Sequence, residues 1–307
     1  MRAKIVVLGS LNMDLIGRAP RIPLPGETIL GSGFATAAGG KGANQATAAA
    51  RLGAQVTMIG CVGADAYGDA LRAGLQGDGI DTQFLRTVDE AHTGTALIVV
   101  DDAGENSIVV ISGANWRIAE EDVDRAAAAV RGADALVLQL ETPLPVVAYA
   151  AELAAGHGIP VLLNPAPARP LPGSLLATVT CLIPNESEAA LLAGCAVDDA
   201  AGLETAVQRL RERARGTIIV TMGSRGAFTA DGGGSFHTPA FAVDAVDSTA
   251  AGDAFVAGVA VAMGEKRPLR ETVRFAAAAG ALATTQHGAQ PSLPTRAAVE
   301  ALLERRR

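Results

Sequence analysis

The stretch "DSTAAGDAFVAGVAVAMG", residues 247 to 264, sets one carboxylate behind a run of alanine and glycine, in the first turn of what reads as a helix of small residues. Unpaired amides at a helix N-terminus carry partial positive charge, so Ala250, Ala251 and Gly252 offer bare backbone donors to a phosphate without steric interference. Asp253 is out of place as an anion binder. Its charge makes sense if it takes a proton from a hydroxyl that attacks the phosphate, so that amides stabilise the transferring group while the carboxylate activates the acceptor. An aspartate that merely favours the helix dipole is the common alternative for an isolated case.

Ligands of open α/β sheets collect at the carboxyl ends of the strands. Here the first apolar run is followed by Asn12 and Asp14, a later one by Glu141, and "TCLIPNESE" ends in Asn185 and Glu188. Any one of these reads as a cap or turn residue. As a set, with no nucleophile–base pair among them, asparagines and carboxylates at one face suit a polyhydroxylated small molecule.

The glycine turns leave alternatives open. In "AAGGKGANQA", residues 37 to 46, Lys41 is followed by Gly42 instead of Ser or Thr, and no strand leads cleanly into it, so it fails as a phosphate loop; residues 9 to 14 likewise fail the dinucleotide fingerprint. It is either a glycine-rich helix start or a place of close approach to a ligand, with Lys41 and Asn44 adding donors. In "TMGSRGAF", residues 221 to 228, the glycines make a hairpin or tight crossover, while Thr221, Ser224 and Arg225 could equally hold nucleotide phosphates.

These residues need elements to place them. Six β-branched runs ("KIVVLGS", "QVTMIGCVG", "ALVLQLE", "IPVLLNPAP", "TCLIPNESE" and "GTIIVTMGS") alternate with Ala-rich helical segments near 42–52, 68–75, 120–130, 145–155, 187–192 and 203–214. That rhythm predicts an α/β fold: a layered, mostly parallel sheet flanked by helices. Two stretches break it, at about 14–36 and 93–112, the second being two β-rich runs joined by a turn at Asp101–Asn106. Together they predict a small β-sheet lid over one edge of a single domain spanning 1–307.

Composition sets the class. Of 307 residues 49% are hydrophobic and 19% charged, with 35 Gly and 15 Pro, which describes a globular chain with many tight turns. A net charge of −7 gives no general attraction to nucleic acid or anionic lipid, so an anionic ligand must be met locally. Cys61, Cys181 and Cys195 are odd in number and widely spaced, which fits buried thiols in a reducing compartment. The start is too short in its apolar core for a signal peptide, and the uncharged stretch after Phe275 holds Gln, His, Thr and Pro, so the expectation is a cytoplasmic protein with no membrane span.

The motifs "GSLNMD", "GGKGANQA", "LNPAPAR", "PNESEA", "TMGSRG", "DSTAAGDAF" and "GAQPS", in this order and nearly end to end, strongly resemble the ribokinase-like (pfkB) family of sugar and nucleoside kinases. The resemblance implies a homodimer formed through the lids, and phosphorylation of D-ribose at O5 by ATP with Mg²⁺. It assigns Asn12, Asp14, Gly40, Lys41, Asn44 and Glu141 to the sugar and Asp253 to the base. Asn185, Thr221, Gly223, Ser224, Gly226 and Gly252 would hold ATP, and Glu188 would organise Mg²⁺ and its waters. A K⁺ site would use the Asp247 carboxylate and the carbonyls of Thr249, Ala283 and Gln286, with Gly288 and Ser292 nearby. Val256, Ala257 and Ala277 depart from the family pattern, away from the reacting atoms. The competing readings are a kinase of the same fold for 2-deoxyribose, fructose or a nucleoside, and a catalytically silent sugar-binding protein.

Overall fold

The computed structural model describes residues 2–305. Its strands are β1 (Lys4–Leu8), β2 (Asn12–Arg18), β3 (Gly33–Gly39), β4 (Gln55–Gly63), β5 (Asp81–Val88), β6 (Gly94–Val100), β7 (Asn106–Ile111), β8 (Ala135–Leu138), β9 (Val161–Leu163), β10 (Cys181–Leu182), β11 (Thr217–Thr221), β12 (Ala227–Asp231) and β13 (Gly234–Thr238). The helices are α1 (Lys41–Arg51), α2 (Ala66–Gly77), α3 (Glu120–Arg125), α4 (Ala127–Arg131), α5 (Leu144–Gly156), α6 (Gly173–Thr178), α7 (Glu186–Ala193), α8 (Ala200–Arg213), α9 (Ala251–Gly264), α10 (Leu269–Ala283) and α11 (Arg296–Glu304).

All six β-branched runs become strands of one nine-stranded sheet, ordered β13-β12-β11-β10-β9-β8-β1-β4-β5. From β11 through β5 the neighbours run parallel, and β12 and β13 close one edge as antiparallel strands. Both faces of this sheet are covered, which is why its inner strands are apolar at successive positions. Ile5 and Val7 of β1 enter the core formed with α1, α9 and α10, whereas Val6 and Leu8 enter the opposite core with α5 and α8. Full burial of such a side chain contributes roughly 1.5–3 kcal/mol.

The two stretches that broke the rhythm form a separate four-stranded sheet, β3-β2-β6-β7. It is mixed: β2 pairs parallel with β6 and antiparallel with β3, and β6 pairs antiparallel with β7. The turn expected at Asp101–Asn106 is present, closed by Asp101, whose carboxylate accepts from the amides of Ala103 and Glu105.

Three expectations need correction. Asn12 and Asp14 do not trail off β1; they open β2, after a short loop, because the chain leaves the main sheet at Gly9. Nor is the "GGKGANQA" helix without a lead-in strand, since β3 runs straight into α1 through Gly40, whose φ of 88° and contact with the Asn12 amide leave no room for a Cβ. The helix expected over 120–130 is split at Ala126, where its amide bonds back to Val123 and tightens the turn before α4 resumes. The turn at 223–226 resolves as the hairpin between β11 and β12. No helix of the described residues is long and apolar enough to cross a membrane.

Helix α9 carries Asp253 and is buried on every side from Asp253 to Ala262, between the sheet and the helices α1 and α10. Its alanines and glycines permit this: a Cβ on Gly258 would sit 2.7 Å from the Ala276 Cα and 3.2 Å from its Cβ on α10. Alanine at 258 favours a helix by about 1 kcal/mol, yet it must push α9 from α10. We expect Gly258→Ala to lose roughly 1–3 kcal/mol net, read as a lower thermal unfolding midpoint; an equal or higher midpoint contradicts this packing.

Candidate active site

The carboxyl ends of β1, β8, β9, β10 and β11 point to one edge of the parallel sheet, and the small sheet joins them there through the loop 9–11. Asn12 and Asp14 come from β2, Lys41 and Asn44 from the first turn of α1, and Glu141 from the loop after β8. Glu141 ties them together, accepting from the Ser10 hydroxyl at 2.5 Å and from the Lys41 amide at 3.1 Å. Asn12 is buried and accepts from Asn115 Nδ2 at 2.8 Å. The residues that the resemblance assigns to the sugar are therefore brought together.

Asp253 closes this group from below. It is 7% exposed, accepting from Asn44 Nδ2 at 3.0 Å on one oxygen and from Gln45 Nε2 at 2.9 Å on the other. Burial raises its pKa, while Lys41 and the amide bonds from Asn44 and Gln45 pull it back and Glu141 raises it. Burial also works against the charge of Lys41, but Asp253, Glu141 and Glu188 outweigh it and leave the ammonium more firmly protonated than usual. Asp14 is pushed up to about 6 by burial and by Glu141 beside it.

Two cavities meet at the N-terminus of α9. One, of about 200 Å³, is bounded by Lys41, Asn164, Asn185, Glu188, Gly252 and Asp253. The other, of about 570 Å³, runs between β11, the 240–245 segment and α10, past Gly223, Ser224, Gly226, Phe241 and Ala277. The larger has the size of a small-molecule site. Thr221, Ser248 and Gly252 border both, and a Cβ added to Gly252 would enter open space. That glycine keeps the passage between the cavities clear.

No side chain caps α9. The Ala251 amide, expected among the free donors, instead donates to the Ser248 carbonyl at 3.2 Å, because the turn closes on itself where Ala250 adopts a left-handed conformation, φ 60° and ψ 6°. The first-turn amides of Gly252 and Asp253 remain to face an anion. Holding an alanine in that conformation costs roughly 1 kcal/mol.

Other predicted residues fall less simply. Asn185 and Glu188 form a reciprocal capping box on α7, each side chain accepting from the other's amide at 2.8 Å, and both still border the smaller cavity. Burial raises the Glu188 pKa despite that amide bond. Arg225 turns away from the cavities to pair with Glu186. Gly226 is required by packing, since a Cβ there would meet the Thr238 carbonyl. Val256 lies on the wall of the smaller cavity beside Asp253, closer to the chemistry than the sequence reading placed it.

Asp247 precedes α9, and its pKa is below the usual carboxylate range: burial raises it, but bonds from Thr249 Oγ1 at 2.6 Å and the amides of Gly288 and Thr249, 2.8 and 2.9 Å away, outweigh this. The Gly288 bond folds the 284–288 loop onto it. At the C-terminus of α10 the Ala281 and Leu282 carbonyls accept from Thr284 and Thr285, and the Thr284 carbonyl accepts from Val246 and Asp247. The Ala283 carbonyl, lacking an intrahelical partner, is thus placed beside this loop. Ser292 donates to Ala289, closing the next turn. Gln286 is exposed.

Sequence reasoning missed Ser10, Gln45, Asn164 and Ser248. Each is an ordinary polar residue, and only Gln45 and Asn164, sitting in otherwise apolar or small-residue stretches, gave any signal.

Comparison with known proteins agrees with this geometry. A sequence profile described as "pfkB family carbohydrate kinase" matches residues 2–296. The chain is 43% identical over 296 residues to a Haemophilus influenzae protein named ribokinase, covering 96% of this chain and 97% of that one. It is 39% identical over 292 residues to a Salmonella typhi protein named deoxyribokinase, covering 95% of each. It superposes on the structure of Arabidopsis thaliana ribokinase complexed with ribose and ATP with a TM-score of 0.92, at 34% identity and 99% coverage of both chains. With a site of this form at the sheet edge and a match along nearly its whole length, the chain belongs to the pfkB family of carbohydrate kinases.

Proposed function

We propose that the protein transfers the γ-phosphoryl group of ATP to O5 of D-ribose. The observation that carries this is Asp253: a buried carboxylate, held by two amide side chains, in the same helical turn as unpaired backbone amides, bordering the small polar cavity next to Gly252, where that cavity meets a larger apolar one. Ribose lies beside Lys41 and Asp253 at the edge of the smaller cavity, its hydroxyls on Asn12, Asp14, Gly40, Lys41, Asn44 and Glu141. ATP lies in the larger, its base among Phe241, Val243 and Ala277 and its phosphates near Asn185, Thr221, Gly223, Ser224, Gly226 and Gly252. Asp253 takes the O5 proton as O5 attacks the γ-phosphorus; the bond to the β,γ-bridging oxygen breaks and ADP leaves. The amides of Gly252 and Asp253 face the charge on the transferring group. Relatives named ribokinase support the acceptor, and the solved one holding ribose and ATP supports both substrates.

Mg²⁺ fits this site through Glu188, a cavity-facing carboxylate with one oxygen beyond its capping bond, together with ATP phosphates and water; it would neutralise charge on the β- and γ-phosphates. No cluster of acidic and imidazole groups among the described residues offers an all-protein divalent cage. A monovalent cation fits beside Asp247, an ionised carboxylate under a carbonyl-bearing loop, with Thr249, Ala283 and Gln286 supplying carbonyls and Gly288 and Ser292 shaping the turn. The small sheet acts as a lid on the sugar and, through its exposed Leu97, Ile108, Val109, Val110 and Ile111, pairs with the sheet of a second copy.

The Salmonella relative named deoxyribokinase favours 2-deoxyribose as a second reading. Higher kcat/KM for 2-deoxyribose than for ribose would replace the first reading with it.

Asp253→Asn keeps size and capping ability but removes basicity, so kcat should fall by roughly 10² to 10⁴, with ATP still bound. Near-normal turnover by the folded variant removes the base from this reading. Potassium should raise the rate over a large organic cation at equal ionic strength; equal rates contradict a cation at Asp247. Sedimentation at micromolar concentration should give a dimer, and Val109→Asp should release monomers; a monomeric parent protein contradicts pairing through the small sheet.

A further inference from the structure

Gln45 follows Asn44 on α1 and is fully buried, yet the reaction above leaves it without a part. Its amide belongs to a chain whose direction is fixed from one end. The Ile183 carbonyl can only accept, so Asn164 turns its amide nitrogen to it, at 3.0 Å. Asn164 Oδ1 then faces Gln45 and receives one hydrogen of Nε2, at 3.2 Å. The other hydrogen of Nε2 goes to Asp253 Oδ1 at 2.9 Å, and Gln45 Oε1 accepts from Gln139 Nε2 at 2.6 Å. Turning any of these amides over would set acceptor against acceptor, so a donor always faces Oδ1.

We propose that Gln45 is a positioning residue for the Asp253 base: anchored through Asn164 to the Ile183 carbonyl, it fixes Oδ1 while Asn44 fixes Oδ2, and so holds the carboxylate in one orientation toward the acceptor hydroxyl. This rests on the reading of Asp253 as the base. Asn44 also borders the sugar group and can exchange its bond for one to substrate, whereas Gln45 is saturated and stays in place through the cycle. The charged groups facing Asp253 are Lys41 from α1, Glu141 beyond β8 and Glu188 from α7; with Gln45 gone, burial and the two glutamates weigh more heavily against ionisation.

The sign of the test follows. The base works deprotonated, so activity rises with pH through its pKa, and losing a donor moves that rise to higher pH. The full chain carrying Gln45→Leu, its folding checked by thermal unfolding, should show kcat reduced roughly 10- to 100-fold at neutral pH, sugar KM within about threefold, and the acid limb of the kcat profile moved up by about one to two pH units. Gln45→Glu, nearly the same shape, places a second carboxylate against Asp253 and should move the limb at least as far; it carries the test alone if the leucine variant does not fold. Asn164→Ala, which frees the Gln45 amide to turn, should move it in the same direction. An unmoved acid limb in any folded Gln45 variant, or a loss confined to KM, overturns the proposal. Asp253→Asn separates the two ideas: if it abolishes turnover while the Gln45 variants keep the parental limb, only the role of Gln45 falls.

Discussion

Taking a carboxylate out of water costs several kcal/mol unless its oxygens find donors, and Asp253, at 7% exposure, sets that condition for the whole site. The donors come from α1, which must therefore lie against α9, and both must be thin enough to approach. This is why α1 reads "GANQATAAA" and α9 "AFVAGVAVA", with few large side chains in either. The Ala250 turn at the head of α9 accepts backbone strain in the same cause, since it aims the first amides at the space the carboxylate borders.

The charges around Asp253 also define what the acceptor can be. Asp253, Glu141 and Glu188 stand around the single ammonium of Lys41, with Asp14 beside Glu141, so carboxylates outnumber cations around Asp253. A neutral polyol meets that surface with its hydroxyls as donors. With the acceptor placed there as proposed, a sugar already phosphorylated at the far end would bring its charge against the carboxylates without a matching cation, which favours an uncharged acceptor.

Much of this was legible in the sequence, for identifiable reasons. Strands buried on both faces leave unbroken apolar runs, so six strands of the main sheet announced themselves, and the polar residues after β8 and β10 pointed to the edge where the candidate site lies. The edge strand β5 did not, because "DTQFLRTV" exposes one face and carries charge. The lead-in of β3 to α1 was hidden by a glycine- and alanine-rich sequence with little β signature. Gln45 and Asn164 were passed over because a buried amide has no spacing rule: its role appears only when residues more than a hundred positions apart meet. Arg225 looked apt for phosphate by type and neighbours, and only the position of Glu186 on α7 shows where its charge goes.

The two cavities are built from different materials. The larger is bounded mostly by glycine, alanine and other apolar residues, the smaller by the functional groups of Lys41, Asn164, Asn185, Glu188 and Asp253 on separate elements. Exchange of a side chain in the first changes little except by filling space, while exchange among the residues proposed to hold the sugar would rewrite which hydroxyls are recognised. A gene lineage founded on this architecture can therefore diversify its acceptors by a few point substitutions while inheriting its phosphoryl donor with the fold itself.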